Sequence, residues 1–242
     1  MRLVILSVML SSAAYAVDVA TCGQMVLPGD VAQVVADLDC TGAPTAPAVT
    51  LEPGSTLLLD GHAVSGGQIG IETEPGKKGG PTTRIIGPGE ITGMTGCAIW
   101  AQNRISVQNV DLHENGCGIT VVYNYPLTLS QVSVTDNAGD GITYLSVLGN
   151  GRIDGDGVTI TGNRGDGILT TGKVKLEDAL VQDNGGVGVE SILKSIRVLR
   201  GTLVHNTDGD VVSFRRSKLV EATCGHSVDL RNGGTFAICT LD

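Results

Sequence analysis

Aromatic residues, histidine and closely paired cysteines are all scarce in this sequence. Phe, Trp and Tyr together make up 3% of its 242 residues. So few rings, set against 35 glycines, exclude an ordinary helical or sandwich core. No C-x-x-C pair occurs, which excludes a zinc knuckle or a redox motif of that kind. The four histidines are too scattered to form a metal site. No segment after the N-terminal region approaches the roughly 18 apolar residues of a membrane helix, so no membrane span is expected. Lys and Arg number 16 against 25 Asp and Glu, a net charge of −9. That balance excludes general nucleic-acid binding, which needs a basic surface. With 41% hydrophobic residues, the chain is also too apolar to be disordered.

The N-terminus reads as a secretory signal over residues 1–16. Arg2 supplies the positive start, Leu3 to Leu10 the short apolar stretch, and Ala14-Tyr15-Ala16 a small-residue cleavage site. The expected mature chain starts at Val17 and is secreted or periplasmic, with no lipid-anchor cysteine near the cut. All six cysteines follow it, an even count that suits disulfides in an oxidising compartment.

A phrase then recurs: residues 113–119 read HENGCGI, 136–142 DNAGDGI, 162–168 GNRGDGI, 183–189 DNGGVGV and 205–211 HNTDGDV. A degenerate copy ends at Ile99. The closing apolar residues are 20, 23, 26, 21 and 22 positions apart. A period near 22 with Gly and Asn at the turns is the signature of a β-solenoid. Within each repeat, pairs such as Leu127/Leu129, Val132/Val134, Val174/Leu176 and Ala179/Val181 alternate with polar residues. Spacing of two puts both members on one face, and equal offsets stack them in columns about 4.8 Å apart. No amphipathic helix is found, and glycine at every turn would penalise one. Asn137, Asn163, Asn184 and Asn206 share one offset and are expected to bond one another up the stack. Gly96, Gly116, Gly139, Gly165 and Gly186 share another, where positive φ is expected. The fold class is therefore all-β: a single-stranded right-handed parallel β-helix of about eight coils. Its expected layout is an N-terminal cap segment over 17–48, the helix over 49–218, and a C-terminal coil and cap over 219–242.

Cys97 and Cys117 share an offset in successive coils, so stacking brings their Cα atoms within disulfide range. That pairing cuts the 15 connectivities of six cysteines to three. Among these, Cys22–Cys40 and Cys224–Cys239 are favoured as staples at the two ends, where a solenoid exposes apolar layers.

The Asn-x-Gly-Asp-Gly-Ile phrases resemble the parallel β-helix repeats of the pectin-lyase-like superfamily. Residues 57–66 (LLLDGHAVSG) resemble the first full coil of many such proteins, and the Cys22–Cys40 opening is similar to segments that precede it. The resemblance covers roughly residues 22–215. It implies a fold shared by pectate lyases, polygalacturonases, alginate and chondroitin lyases and epimerases, and the repeated residues are structural. Asn206-Thr-Asp208 and Gly225-His226 are similar to polygalacturonase motifs, but the Asp-Asp pair and the Arg-Ile-Lys of that family are absent.

Charge is segregated along the chain. Residues 173–218 hold eight basic and six acidic residues, while the rest of the expected mature chain sums to −12. Lys175 and Arg197 lie between inward apolar residues and should point outward on adjacent coils. Lys173, Lys194 and Arg216 form a second set at a shared offset. This patch suits carboxylated or sulfated sugars. In β-helix lyases, the resemblance implies, cations neutralise the uronate and a Lys or Arg removes the α-proton. Catalytic candidates are thus Lys175, Arg197 and Lys194, with Asp140 and Asp166, whose shared offset would pair their carboxylates or let them hold calcium. Each of the two could equally cap turn amides, and Asp154 and Asp156 could add carboxylates nearby. No cofactor is required by any of these readings. Trp100, Tyr123, Tyr125 and Tyr144 follow closing Ile residues and could stack on sugar rings; Tyr144 joins the substrate-binding set. His113 could pair with Asp136, and His205 with Asp183. The expected function is binding of an extracellular polysaccharide; an anionic one would suit the basic patch. The alternatives are a lyase, epimerase or hydrolase acting on uronate-containing polysaccharide, and a structural surface or matrix protein.

Overall fold

A computed structural model describes residues 16–43, 47–146, 151–215 and 217–231. The expected signal segment lies outside these residues, apart from Ala16. Among the described residues there is no helix, and 29 strands form three parallel sheets. Each coil lays one strand in each sheet in turn. Ile105–Gln108 belongs to the first sheet, Asp111–His113 to the second and Cys117–Val122 to the third. The first and third sheets have ten strands and the second nine. The solenoid therefore makes about nine turns, one more than the sequence suggests. The difference comes from the two end segments. Val17–Val19, Gln24–Val26 and Val31–Val34 already pair within the sheets, and Ser227–Asp229 still does so.

The interior is built from vertical columns. Ile71, Ile99, Ile119, Ile142, Ile168, Val189 and Val211 stack through the third sheet, every one fully buried. Leu112, Val134, Ile160, Val181 and Leu203 do the same in the second. Each such side chain contributes about 1.5–3 kcal/mol by burial. β-Branched residues dominate because they fit the pleated surface of a sheet.

The corner between the second and third sheets carries an asparagine ladder. Asn115 Oδ1 accepts the Met94 N–H, and Asn137, Asn163, Asn184 and Asn206 each accept, through Oδ1, both the backbone N–H and the side-chain amide of the Asn one coil before. Each Nδ2 in turn donates to the next Oδ1, from Asn115 to Asn137 at 3.1 Å and on to Asn206 at 2.8 Å. Asp210 ends the ladder. Its Oδ1 accepts from Asn206, and its Oδ2 accepts the amides of Gly225 and His226. The Asn206 and Gly225-His226 motifs are thus absorbed by the ladder and its terminus.

The glycine column does not have positive φ; the left-handed positions beside the ladder are Glu114, Asp136, Gly162, Asp183 and His205. Glycine is needed there because the adjacent coil, by its backbone or by an aspartate side chain, approaches closely. A Cβ on Gly116 would lie 2.4 Å from the Thr95 carbonyl oxygen, and one on Gly186 would lie 2.1 Å from Asp166 Oδ1.

Two disulfides are present as expected. Cys97 and Cys117 are register partners with Cα atoms 4.3 Å apart, and Cys22–Cys40 staples the first coil at 5.7 Å. For Cys224–Cys239, the second cysteine lies outside the described residues.

Candidate functional site

The outer face of the first sheet carries the segregated charge. Strand alternation buries Val174, Leu176, Ile196 and Val198 and turns the residues between them outward. Register then builds one outward column: Thr128, Asp154, Lys175, Arg197 and Lys218, each paired with the next. A second outward column runs Ser130, Asp156, Glu177 and Leu199. Lys173 stands beside Arg152 at the start of these strands. The surface therefore changes from acid to base along the solenoid axis within one strand step.

Ion pairing divides the cations into two groups. Arg152 Nε is 2.7 Å from Asp154, and Lys175 Nζ is 3.4 Å from Glu177. Arg200, at a left-handed corner, clamps Asp178 through Nε at 2.8 Å and Nη2 at 2.9 Å, and reaches Glu177 at 2.6 Å. The Arg200 guanidinium holds the Glu177 and Asp178 carboxyls below their usual range. Lys173, Arg197 and Lys218 are exposed and form no ion pair with the described residues. Thr128, Ser130, Asp154, Asp156, Lys175 and Glu177 line a shallow depression on this face.

Several sequence expectations need correction. Lys194 does not share a level with Lys173: Val174 pairs with Ile196, which sets Ser195 beside Lys173 and leaves Lys194 in the preceding turn. The 22-residue step between these coils, against the 21 assumed, accounts for the slip. Arg216 lies outside the described residues. Tyr144 is not available to a ligand. It lies two residues after Ile142, on the same inward face, with 0% exposure. Its hydroxyl donates to the Tyr125 carbonyl at 2.5 Å, and burial pushes its pKa up to about 12. Gly151 makes room for the ring, since a Cβ there would sit 1.8 Å from it.

Asp140 and Asp166 do stack, but each binds a turn amide in the next coil. Asp140 Oδ1 accepts the Asp166 N–H at 2.9 Å, and Asp166 Oδ1 accepts the Val187 N–H at 2.7 Å. Burial raises the Asp166 pKa, opposed by that amide and reinforced by Asp140 and Asp208. Among the described residues no three His, Cys, Asp or Glu side chains converge as a metal site. His113 faces Glu90 at 3.2 Å rather than Asp136, while His205 and Asp183 stand 3.7 Å apart on the surface.

Sequence reasoning missed the parts of Lys218, Arg152 and Arg200. Lys218 continues the Lys175–Arg197 offset and could have been counted. The pairing of Arg200 depends on a left-handed corner that no local motif announces.

Three parallel sheets wound from one strand per coil define a parallel β-solenoid. The chain belongs to the right-handed β-helix family: the sequence model described as "Right handed beta helix region" matches residues 39–173 and again 96–238. No curated protein matches in sequence. Among solved structures, the chain is similar to the enzymatically active domain of tailspike protein 2 from bacteriophage CBA120. The TM-score is 0.56 at 14% identity, over 89% of this chain and 38% of that one. The full-length tailspike protein 2, from an Escherichia coli O157:H7 bacteriophage, gives 0.52 at 14% identity with the same coverage. The chain thus spans less than two-fifths of these tailspikes, and the likeness is one of fold. The A-module of an Azotobacter vinelandii mannuronan C-5 epimerase, at a TM-score of 0.45 and 12% identity over 86% of this chain and 80% of that one, is too distant to carry an argument. No helix among the described residues is long and apolar enough to cross a membrane.

Proposed function

We propose that the protein is exported and binds an acidic polysaccharide along the outer face of the first sheet. The observation that carries this reading is the in-register column Lys175–Arg197–Lys218, in which Arg197 and Lys218 form no ion pair with the described residues. Like charges about 4.8 Å apart repel one another. They are held there by the strands and gain from an anion that bridges them. A polymer bearing a carboxylate or sulfate on successive sugars supplies such anions along the same axis. Lys173 and Arg152 widen the track at one side, and the Thr128–Ser130–Asp154 depression offers hydrogen bonds to sugar hydroxyls. The two disulfides suit an oxidising compartment.

The catalytic alternative has less support. Lys175 and Arg197 lie on the first sheet, whereas Asp140 and Asp166 lie at the corner entering the third and are occupied by amides. The test is calorimetry of the full chain with polygalacturonate, alginate and heparin, against dextran as the uncharged control. Salt-sensitive binding of at least one acidic polymer, weakened in Arg197→Ala/Lys218→Ala, is expected. Equal affinity for dextran, or no effect of the double substitution, overturns the reading. Release of unsaturated sugar from the bound polymer would convert the reading from binder to lyase.

A further inference from the structure

We infer that the outer face of the third sheet around Trp100 is a second, separate site that takes an uncharged, hydroxyl-rich sugar on an aromatic platform. Of the seven aromatic residues in the chain, three lie on two adjacent coils here: Trp100 within the strand Cys97–Ala101, and Tyr123 and Tyr125 just past Cys117–Val122, the strand that pairs with it. Trp100 projects outward because Ile99 and Ala101 on either side of it are fully buried. Its strand neighbours at the same level are Glu72 in one coil and Thr120 in the next. Gln102, the next outward residue, donates through Nε2 to Glu72 Oε1 at 3.0 Å. The indole is therefore flanked by a carboxylate and an amide held in a fixed relation.

Tyr123 supplies the second ring. It is 57% exposed and holds a left-handed backbone, φ 73°. A bulky residue in that conformation is strained, and an exposed ring gains nothing from the core to offset it. Asn or Gly would turn the chain at lower cost. Tyr125 crosses it edge-on, with ring centroids 6.4 Å apart, and is anchored by its hydroxyl to the Gly76 carbonyl. Beneath this corner Asn103 is 1% exposed. Its Nδ2 donates to the Glu74 carbonyl at 2.9 Å, but its Oδ1 has no partner among the described residues. A buried acceptor left open beside a strained, exposed ring marks a surface kept for something other than packing.

The chemistry selects the ligand. Aromatic faces accept the apolar C–H face of a sugar ring, while carboxylate and amide oxygens accept its hydroxyl protons. The Glu72 carboxylate already stands level with Trp100, and burial together with nearby Glu74 raises its pKa, so a further negative charge at this spot meets repulsion. Uronates and sulfates are thereby disfavoured here, the reverse of the first-sheet face.

Trp100 is the single Trp of the chain, so intrinsic emission reports on this face alone. The experiment titrates the full chain with cello-, manno-, galacto- and malto-oligosaccharides, and with oligogalacturonate. A saturable shift in emission with one neutral series is expected, and none with oligogalacturonate. The shift should need about three- to tenfold more sugar in Tyr123→Ala, as loss of one stacked ring implies. It should persist in Tyr123→Phe, which keeps the ring, and in Arg197→Ala/Lys218→Ala. Silence with every neutral series, or a response unchanged in Tyr123→Ala, overturns the inference. So does a shift with oligogalacturonate that vanishes in Arg197→Ala/Lys218→Ala. The acidic-polymer titrations stand or fall independently of all these outcomes.

Discussion

The asparagine ladder and the cation column are both stacks of like residues repeated once per coil, yet one is closed and the other open. An amide carries donors and an acceptor, so each Asn satisfies the next and is satisfied by the last. The ladder from Asn115 to Asn206 is buried, and Asp210 finishes it. Ammonium and guanidinium groups only donate. Lys175, Arg197 and Lys218 cannot satisfy one another, and they face solvent rather than the interior. Repetition of an amide in a solenoid is thus a structural device, whereas repetition of one charge leaves a surface that an outside partner can complete.

The sharpest way to break this comparison is to interrupt the ladder. Asn184 Oδ1 accepts the N–H and amide of Asn163, and its Nδ2 donates to the Ile160 carbonyl and to Asn206. Asn184→Leu orphans all of these buried groups. It should cost roughly 3–5 kcal/mol in a denaturant titration. Asp210→Asn comes next. The aspartate accepts four N–H groups on two oxygens; the amide would offer one oxygen and aim its own N–H at donors. A loss of about 2–4 kcal/mol is expected, with the unfolding midpoint as the readout. If either variant melts like the parent, the ladder is decoration.

Arg197→Ala should behave in the opposite way. The side chain is exposed and forms no ion pair with the described residues, so stability should stay within about 0.5 kcal/mol of the parent. Binding of the acidic polymer should fall by about tenfold, as expected of a charge-assisted contact. A variant that loses stability but keeps binding would show that the column serves the fold, and the distinction between the two stacks would fail.

The closed stack was far more legible in the sequence than the open one. Its offsets recur in the chain, and the interior tolerates only a few residue types at each, so Ile142, Ile168 and Asn163 announce their places. The Cys97–Cys117 pairing followed from the same arithmetic. Where coils change length the arithmetic slips by a residue, which displaced Lys194 from the level of Lys173. The spacing of Tyr144 from Ile142 places it inside: two residues on means the same face, and that face is the core. The glycine column was placed correctly but for the wrong reason, since crowding by the adjacent coil rather than dihedral angle excludes a side chain. Outward residues carry no such periodic constraint, so the clamp of Arg200 on Glu177 and Asp178 left no trace in the pattern.

That clamp gives the smallest expected effect, and it separates the exposed charges by pH. Glu177 and Asp178 have carboxyl pKa values lowered by Arg200. A lowered folded-state pKa contributes stability above the ordinary carboxyl value, and that stability is lost as pH falls through the lowered one. Asp166 and Glu190 act in the reverse sense. Burial raises both, so their ionisation opposes folding, and acidification toward the ordinary carboxyl range relieves it. Stability of the parent should therefore rise slightly as pH falls from neutral and decline at lower pH. Arg200→Ala should flatten the acid limb but not abolish it, because Asp37 and Asp39 are lowered by the backbone amides of Ala63 and Thr41 instead. Asp166→Asn should remove part of the rise, since it keeps an acceptor for the Val187 N–H without the charge. Both changes should be small and should shrink further in high salt, because solvent screens exposed pairs. Denaturant midpoints across pH check them. An acid limb identical in Arg200→Ala would mean that the guanidinium does not hold its two carboxylates in solution and belongs instead with the open cations of the first sheet.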